Sequence, residues 1–264
     1  MDLDQLLADL REETGSVDHL LAGLDDEGWN LPTPAAGWAI RDQVSHLAYF
    51  DDAAVMAAIE PDRFMVEARS LEARGPDFAT YLVEQYRPLA PEKLRGWFLS
   101  SRNRLLETFS QLDSHARVPW YSQPMSVASA VTARIMESWA HGQDIADALG
   151  VERRPNARLR HIAHLGVHTF GFSFTLHGLD VPTTPLRVEL TAPDGTAWVW
   201  GDPAADDVVR GPAADFCLVV TQRRNVADTS LVTKGAVARR WLGIAQAFAG
   251  AAGRGRPPSG ADHG

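Results

Sequence analysis

Apolar positions recur at helical spacing through the first 150 residues. Leu3, Leu6, Leu7 and Leu10 open an amphipathic helix that continues, with a kink expected near Gly15, through Leu20, Leu21 and Leu24. Pro32 and Pro34 interrupt the chain. A second helix starts near Trp38, places Ile40, Val44, Leu47 and Val55 on one side, and runs to about Ile59, where Pro61 is expected to stop it. Residues 61–90 are mixed and polar, and read as loops with a short helix at most. A third helix is predicted over 91–112, with Pro91 suited to the first turn, and a fourth over 126–149. Ser126 is a fitting N-cap for the fourth, and Gly150 a fitting residue just past its end. Long helices joined in this way predict a four-helix bundle.

The pattern changes after Gly150. Residues 152–156 form a polar linker containing Pro155, and a helix is predicted over 157–176. Leu186 to Leu190 then alternates with period two, Ala192-Pro-Asp-Gly195 supplies a turn, and 198–200 reads as the returning strand. Helices near 213–223 and 237–249 follow. The expected fold class is therefore α+β. A bundle over 1–150 precedes a smaller α+β domain over 151–252, and 253–264 ends a Gly-, Pro- and Ala-rich stretch that reads as a flexible tail.

Composition narrows the function classes. The net charge of −9 suits neither a nucleic-acid binder nor a binder of anionic membranes, both of which need a basic face. No apolar run approaches the roughly 18–20 residues that span a bilayer. The acidic start of the chain lacks the basic and apolar regions of a signal peptide, so the expected location is cytoplasmic. Cys217 is the one cysteine, which excludes an internal disulfide and a Cys-rich zinc site. Within the apolar run 216–220 it reads as a buried small residue.

Candidate chemistry lies on the predicted fourth helix. Arg134, Glu137, His141 and Asp144 are spaced by three, four and three residues, so they share one stripe. Their neighbours Ile135, Met136, Trp139, Ala140 and Ile145 are apolar, and such a stripe fits a bundle interior where charges must be paired or bound to metal. On spacing alone, Glu137 and His141 serve equally as an i,i+4 pair on a solvated face. His46, on the second helix beside Val44 and Leu47, reads either as a third ligand or as a hydrogen-bonded core histidine. Asp42 and Gln43 lie one turn before it. A further stripe, His161, His164 and His168, has no carboxylate or cysteine in its run and reads as a partly exposed helix face.

Two segments resemble a known family. Trp38-Ala-Ile-Arg-Asp-Gln-Val-Ser-His46 is similar to the Trp-x(7)-His segment opening the second helix of DinB-like proteins. Arg134-x-x-Glu137-x-x-x-His141-x-x-Asp144 resembles the fourth-helix motif of the actinobacterial, mycothiol-dependent maleylpyruvate isomerase family. The resemblance implies a DinB-like up-down bundle in which His46, Glu137 and His141 hold a divalent metal, zinc first and nickel or iron as alternatives. It also implies mycothiol as cosubstrate. The C-terminal half resembles the family's smaller α+β domain, akin to sterol-carrier folds, and 215–224 corresponds loosely to a helix ending in Arg.

These features define the expected function. A metal held by three protein ligands keeps a position open, which suits activation of a bound thiol for isomerisation or S-transfer on a small anionic or electrophilic substrate. Arg134 is expected to orient Glu137 or to grip a substrate carboxylate. Arg223 and Arg224 are expected to assist, or else to act only as cations at a helix C-terminus. Asp144 is expected to support His141, and Tyr121, in the segment 119–122, to line the mouth. The alternatives are a hydrolase or lyase activating water without thiol, and a non-enzymatic ligand carrier. Sequence leaves the oligomeric state open.

Overall fold

The computed structural model describes residues 2–75, 77–121 and 123–260. It divides the chain into two compact units, Met1–Arg153 and Arg154–Gly264.

The first unit is built on four long helices. α1 (Leu3–Leu21) begins at Asp2, whose carboxylate accepts from Asp4 N, and continues through Gly15 as one helix. A single turn, α2 (Asp26–Trp29), precedes α3 (Ile40–Ile59). α4 (Pro61–Glu72) and α5 (Phe78–Tyr86) come next. Residues 61–90 are thus largely helical, against expectation. α3 ends at Ile59, as expected before Pro61, and Pro61 then opens α4 at the first turn, where its missing N–H has no helical partner to lose. α6 (Pro91–Ser110) and a two-residue ladder, β1 (Arg117–Val118) with β2 (Met125–Ser126), lead to α7 (Val127–Leu149). Ser126 caps α7 by accepting from Ser129 N, and Gly150 adopts φ +65°, a conformation that favours a residue without Cβ.

Within the bundle α1 packs on α6 and α7, and α3 also packs on both. Leu6, Leu10, Leu105, Phe109, Val131 and Ile135 fill one end of the interior. Val17, Ile40, Val44, Leu47, Phe98 and Ile145 fill the other. Full burial of each large aliphatic or aromatic side chain contributes roughly 1.5–3 kcal/mol. α3 and α7, which carry the candidate ligands, therefore face each other across a packed core.

The second unit is α+β. α8 (Leu159–His168) and α9 (Phe170–Leu176) are separated at Thr169. The strands β3 (Leu186–Thr191), β4 (Ala197–Gly201), β5 (Asp207–Pro212) and β6 (Val232–Lys234) form a sheet of order β4-β3-β5-β6, in which β3 and β5 run parallel. The predicted hairpin is present, with Leu190 opposite Trp198 and Val188 opposite Trp200. α10 (Ala213–Val220) lies against α8, and a short 3₁₀ turn (Val226–Asp228) and α11 (Ala236–Leu242) complete the unit. Cys217 is buried, its thiol donates to Leu159 O, and burial pushes its pKa up. The stretch expected to fray is tied down through residue 259. Gly253 N donates to Gln246 Oε1, Asn225 donates to Arg256 O, and Ser259 N donates to the Asp228 carboxylate. These bonds give the polar backbone partners that composition could not reveal. Residues 261–264 lie outside the described residues.

Candidate metal centre

Two facing helices bring the candidate ligands together. His46 projects from α3, and Glu137 and His141, one turn apart, from α7. His141 Nε2 lies 3.1 Å from Glu137 Oε2, and His46 Nε2 lies 3.4 Å from the same oxygen. The three ligand atoms lie within 4.8 Å of one another, and no other such convergence of three His, Cys, Asp or Glu side chains occurs among the described residues. His164 and His168 lie side by side on α8, their rings tilted by 38° with centroids 3.9 Å apart, and among the described residues no third ligand joins them.

A hydrogen-bond chain fixes how His141 presents itself. Thr33 Oγ1 donates to Trp38 O at 2.8 Å, so it accepts from Gln43 Nε2, also at 2.8 Å. This orients the Gln43 amide with Oε1 toward His141 Nδ1, which must then be the donor. With Nδ1 donating, Nε2 is the atom that His141 turns toward the carboxylate oxygen. At 3.1 Å the two atoms are held together by a shared proton or by a cation bound between them. Two ligands each about 2.05 Å from one ion at a tetrahedral angle lie ~3.3 Å apart. The observed separations, 3.1 and 3.4 Å, bracket that value. The donor set thus fits a divalent ion of the zinc, nickel or iron kind.

The electrostatics agree. Burial, then the neighbouring His141, push His46 down to about 4, so its ring is neutral near pH 7 and offers a lone pair. Burial opposes ionisation of Glu137, but the two imidazoles outweigh it and hold the carboxyl well below the usual carboxylate range. Aromatic rings wall the ligands. Trp38 stacks on His141 at 6.0 Å and meets His46 at 5.3 Å, and Phe50 lies 4.6 Å from His46.

The other candidate residues fall in different places. Arg134 does not reach for Glu137. It is buried, its Nε donates to Asp51 Oδ1 at 2.9 Å, and its Nη2 donates to Leu47 O at 3.2 Å. The expected orientation of Glu137 by Arg134 is corrected accordingly: Asp51, invisible as a partner in the sequence, takes the guanidinium from across the bundle. Asp144 is buried on α7, and Gln43 holds the Nδ1 side of His141. Tyr121 packs on Phe50, Phe64, Phe78 and Trp120, one ring removed from His46. Its phenol pairs with Tyr49, and burial raises its pKa. Ser122, the last residue of that segment, lies outside the described residues. In the second unit, Arg223 and Arg224 follow α10. Each donates through Nη1 to a backbone carbonyl of its own turn, Thr221 O and Arg223 O respectively. Sequence reading missed Gln43 as the partner of His141, and Thr33, Asp51 and Arg102 altogether. Gln43 sits three residues before His46, the one hint that it shares that face.

Comparison with known proteins places this geometry in a context. Residues 10–146 match the family described as the mycothiol maleylpyruvate isomerase N-terminal domain. Two uncharacterized proteins, from two strains of Mycobacterium tuberculosis, are each 42% identical over 255 residues, covering 97% of this chain and 99% of theirs. Among solved structures, a mycothiol-dependent maleylpyruvate isomerase and a histidine-to-alanine mutant of it share the fold with a TM-score of 0.60 at 17% identity. Each match covers 88% of this chain and 93% of the other. No described helix is long and apolar enough to cross a membrane.

Proposed function

The chain belongs to the family of the mycothiol maleylpyruvate isomerase N-terminal domain, and from that premise we propose that it is a metal-dependent enzyme using mycothiol as cosubstrate. The reaction is isomerisation or S-transfer on a small electrophilic or anionic substrate. The observation that carries the metal is the convergence of three ligand atoms within 4.8 Å, with the Nε2 atoms of His141 and His46 both turned to one Glu137 oxygen. The naming of mycothiol in the similar solved enzymes supports the thiol.

When bound, a divalent ion lowers the pKa of a thiol and holds it as the nucleophilic thiolate. The chain's own residues do the rest. Glu137 supplies the one negative charge of the ligand set, so the centre keeps a net positive charge. Gln43 keeps His141 in the tautomer that offers Nε2. Trp38 and Phe50 exclude water from one side of the ligands. Cys217 is buried and serves packing in the second unit, consistent with a borrowed thiol. Assistance from Arg223 and Arg224 belongs to the same proposal, and Arg223→Gln and Arg224→Gln are expected to slow turnover.

Metal analysis and turnover test this reading. The purified chain is expected to carry about one divalent ion, lost in His46→Ala and in His141→Ala with the helical circular dichroism retained. Turnover of small electrophiles is expected to vanish when mycothiol is omitted and to return when it is restored. Full metal occupancy in both variants defeats the metal assignment. Undiminished turnover without thiol moves the reading to metal-activated water.

A further inference from the structure

The first turn of α3 borders an open cavity that the proposed chemistry does not use. Its volume is about 390 Å³, and Pro32, Trp38, Arg41, Asp42 and Arg87 are among the residues that line it. That size falls in the range of small-molecule sites. The cavity adjoins the metal centre through one ring: Trp38 stacks on His141 at 6.0 Å and meets His46 at 5.3 Å.

The charged side chains of the lining are not equivalent. Asp42 is buried and fully engaged. Its carboxylate accepts from Arg87 Nε at 3.0 Å, from Arg87 Nη2 at 3.1 Å and from Ala39 N at 2.9 Å. Arg87 Nη2 also donates to Gly37 O at 2.8 Å, and its Nη1 lies 3.6 Å from the Glu84 carboxylate. Arg87 is thus matched by acids, and Arg41 is not. Arg41 Nη2 donates to Leu89 O at 3.0 Å, its Nε is buried without an acceptor, and among the described residues no carboxylate pairs with it. A buried donor left without a partner asks for one from outside the chain. The planar fork of a guanidinium suits a carboxylate best. A second negative charge on the ligand is disfavoured, because Asp42 lines the same cavity and Glu84 flanks Arg87. Trp38 and Pro32 supply apolar surface for an organic body.

We infer that this cavity binds a small organic monocarboxylate, with the carboxylate on the Arg41 guanidinium and the apolar body against Trp38 and Pro32. The site uses none of the metal ligands, and it stands whether or not an ion is bound to them.

Benzoate is the probe, and benzamide, of the same shape without the charge, is its control. Isothermal titration of the full chain at low salt, where screening is least, is expected to show benzoate binding with a Kd of about 1 mM or tighter. Benzamide is expected to bind about tenfold more weakly, as for the loss of a hydrogen bond between charged groups. Arg41→Gln keeps an amide donor but no charge, and is expected to bring benzoate down to the level of benzamide. Arg41→Lys keeps the charge without the fork and is expected to lie between. A role confined to holding Leu89 would weaken both probes together and leave their ratio as it was. An unchanged ratio in Arg41→Gln therefore overturns the inference, as does a wild-type chain that binds the two probes equally or binds neither. Should Arg41→Gln fail to fold, Arg41→Lys decides: a reduced preference for benzoate supports, an unchanged one overturns. The titration is repeated after dialysis of the chain against a chelator. Unchanged benzoate affinity supports the site at Arg41, whereas its loss puts the carboxylate on the metal and overturns the inference while leaving the metal reading intact.

Discussion

The two units each contain an acid clamped between two arginines, in opposite surroundings. In the bundle, Asp51 sits between Arg102 and Arg134 with every partner at most 5% exposed. On the sheet of the second unit, Glu189 sits between Arg187 and Arg210, with side chains 21–55% exposed. The charge motif is the same, and the consequences differ because the medium differs. Water and salt screen the sheet cluster, so its ion pairs contribute little. The bundle cluster is shielded from water, so each donor needs its acceptor.

Removing the shared acid is the strongest test of that contrast. Asp51→Ala leaves two buried arginines without their carboxylate and is expected to cost about 3–5 kcal/mol in denaturant unfolding. A loss below about 1 kcal/mol would show that the interior is wet and that the two clusters are alike.

The metal centre offers the next largest effect. Gln43→Ala removes no ligand but frees His141 to turn or change tautomer, and about 10- to 100-fold weaker metal binding is expected in a competition titration. Unchanged affinity would mean that the Thr33–Gln43–His141 chain does not hold the ring.

Salt separates the clusters more gently. High salt is expected to erase any stability difference between the wild type and Glu189→Gln while leaving the deficit of Asp51→Ala intact. Equal sensitivity of the two deficits would contradict the difference in burial.

The smallest effect concerns pH at the sheet. Hydrogen bonds from Arg210 and then Arg187 hold Glu189 down to about 2, below its ordinary 4.5. A folded-state pKa depressed in this way gives stability that is fully present above pH 4.5 and fades as the pH falls toward 2. The melting-temperature gap between the wild type and Glu189→Gln is therefore expected to be small at pH 7 and to close in acid. A gap that widens in acid would reverse the sign.

Sequence by itself determined the four long helices, the caps at Ser126 and Gly150, the Val188–Trp200 hairpin and the stripe of Glu137 and His141, because period, capping and i,i+4 spacing are local properties of the chain. It also pointed to His46, through an apolar setting that left a buried histidine in need of a partner. It showed that a helix ends before Pro61 but not that another begins there, since that second helix is held by the packing of Phe64 and Ala68 against α3. Nor could it show the partners of Arg134 and His141. Asp51 and Gln43 lie 83 and 98 residues away from them along the chain. Hydrogen bonding and desolvation act at about 3 Å in space, whatever the distance in sequence. Only the folded bundle decided that the arginine on the ligand stripe belongs to a buried clamp, and that a glutamine holds the imidazole.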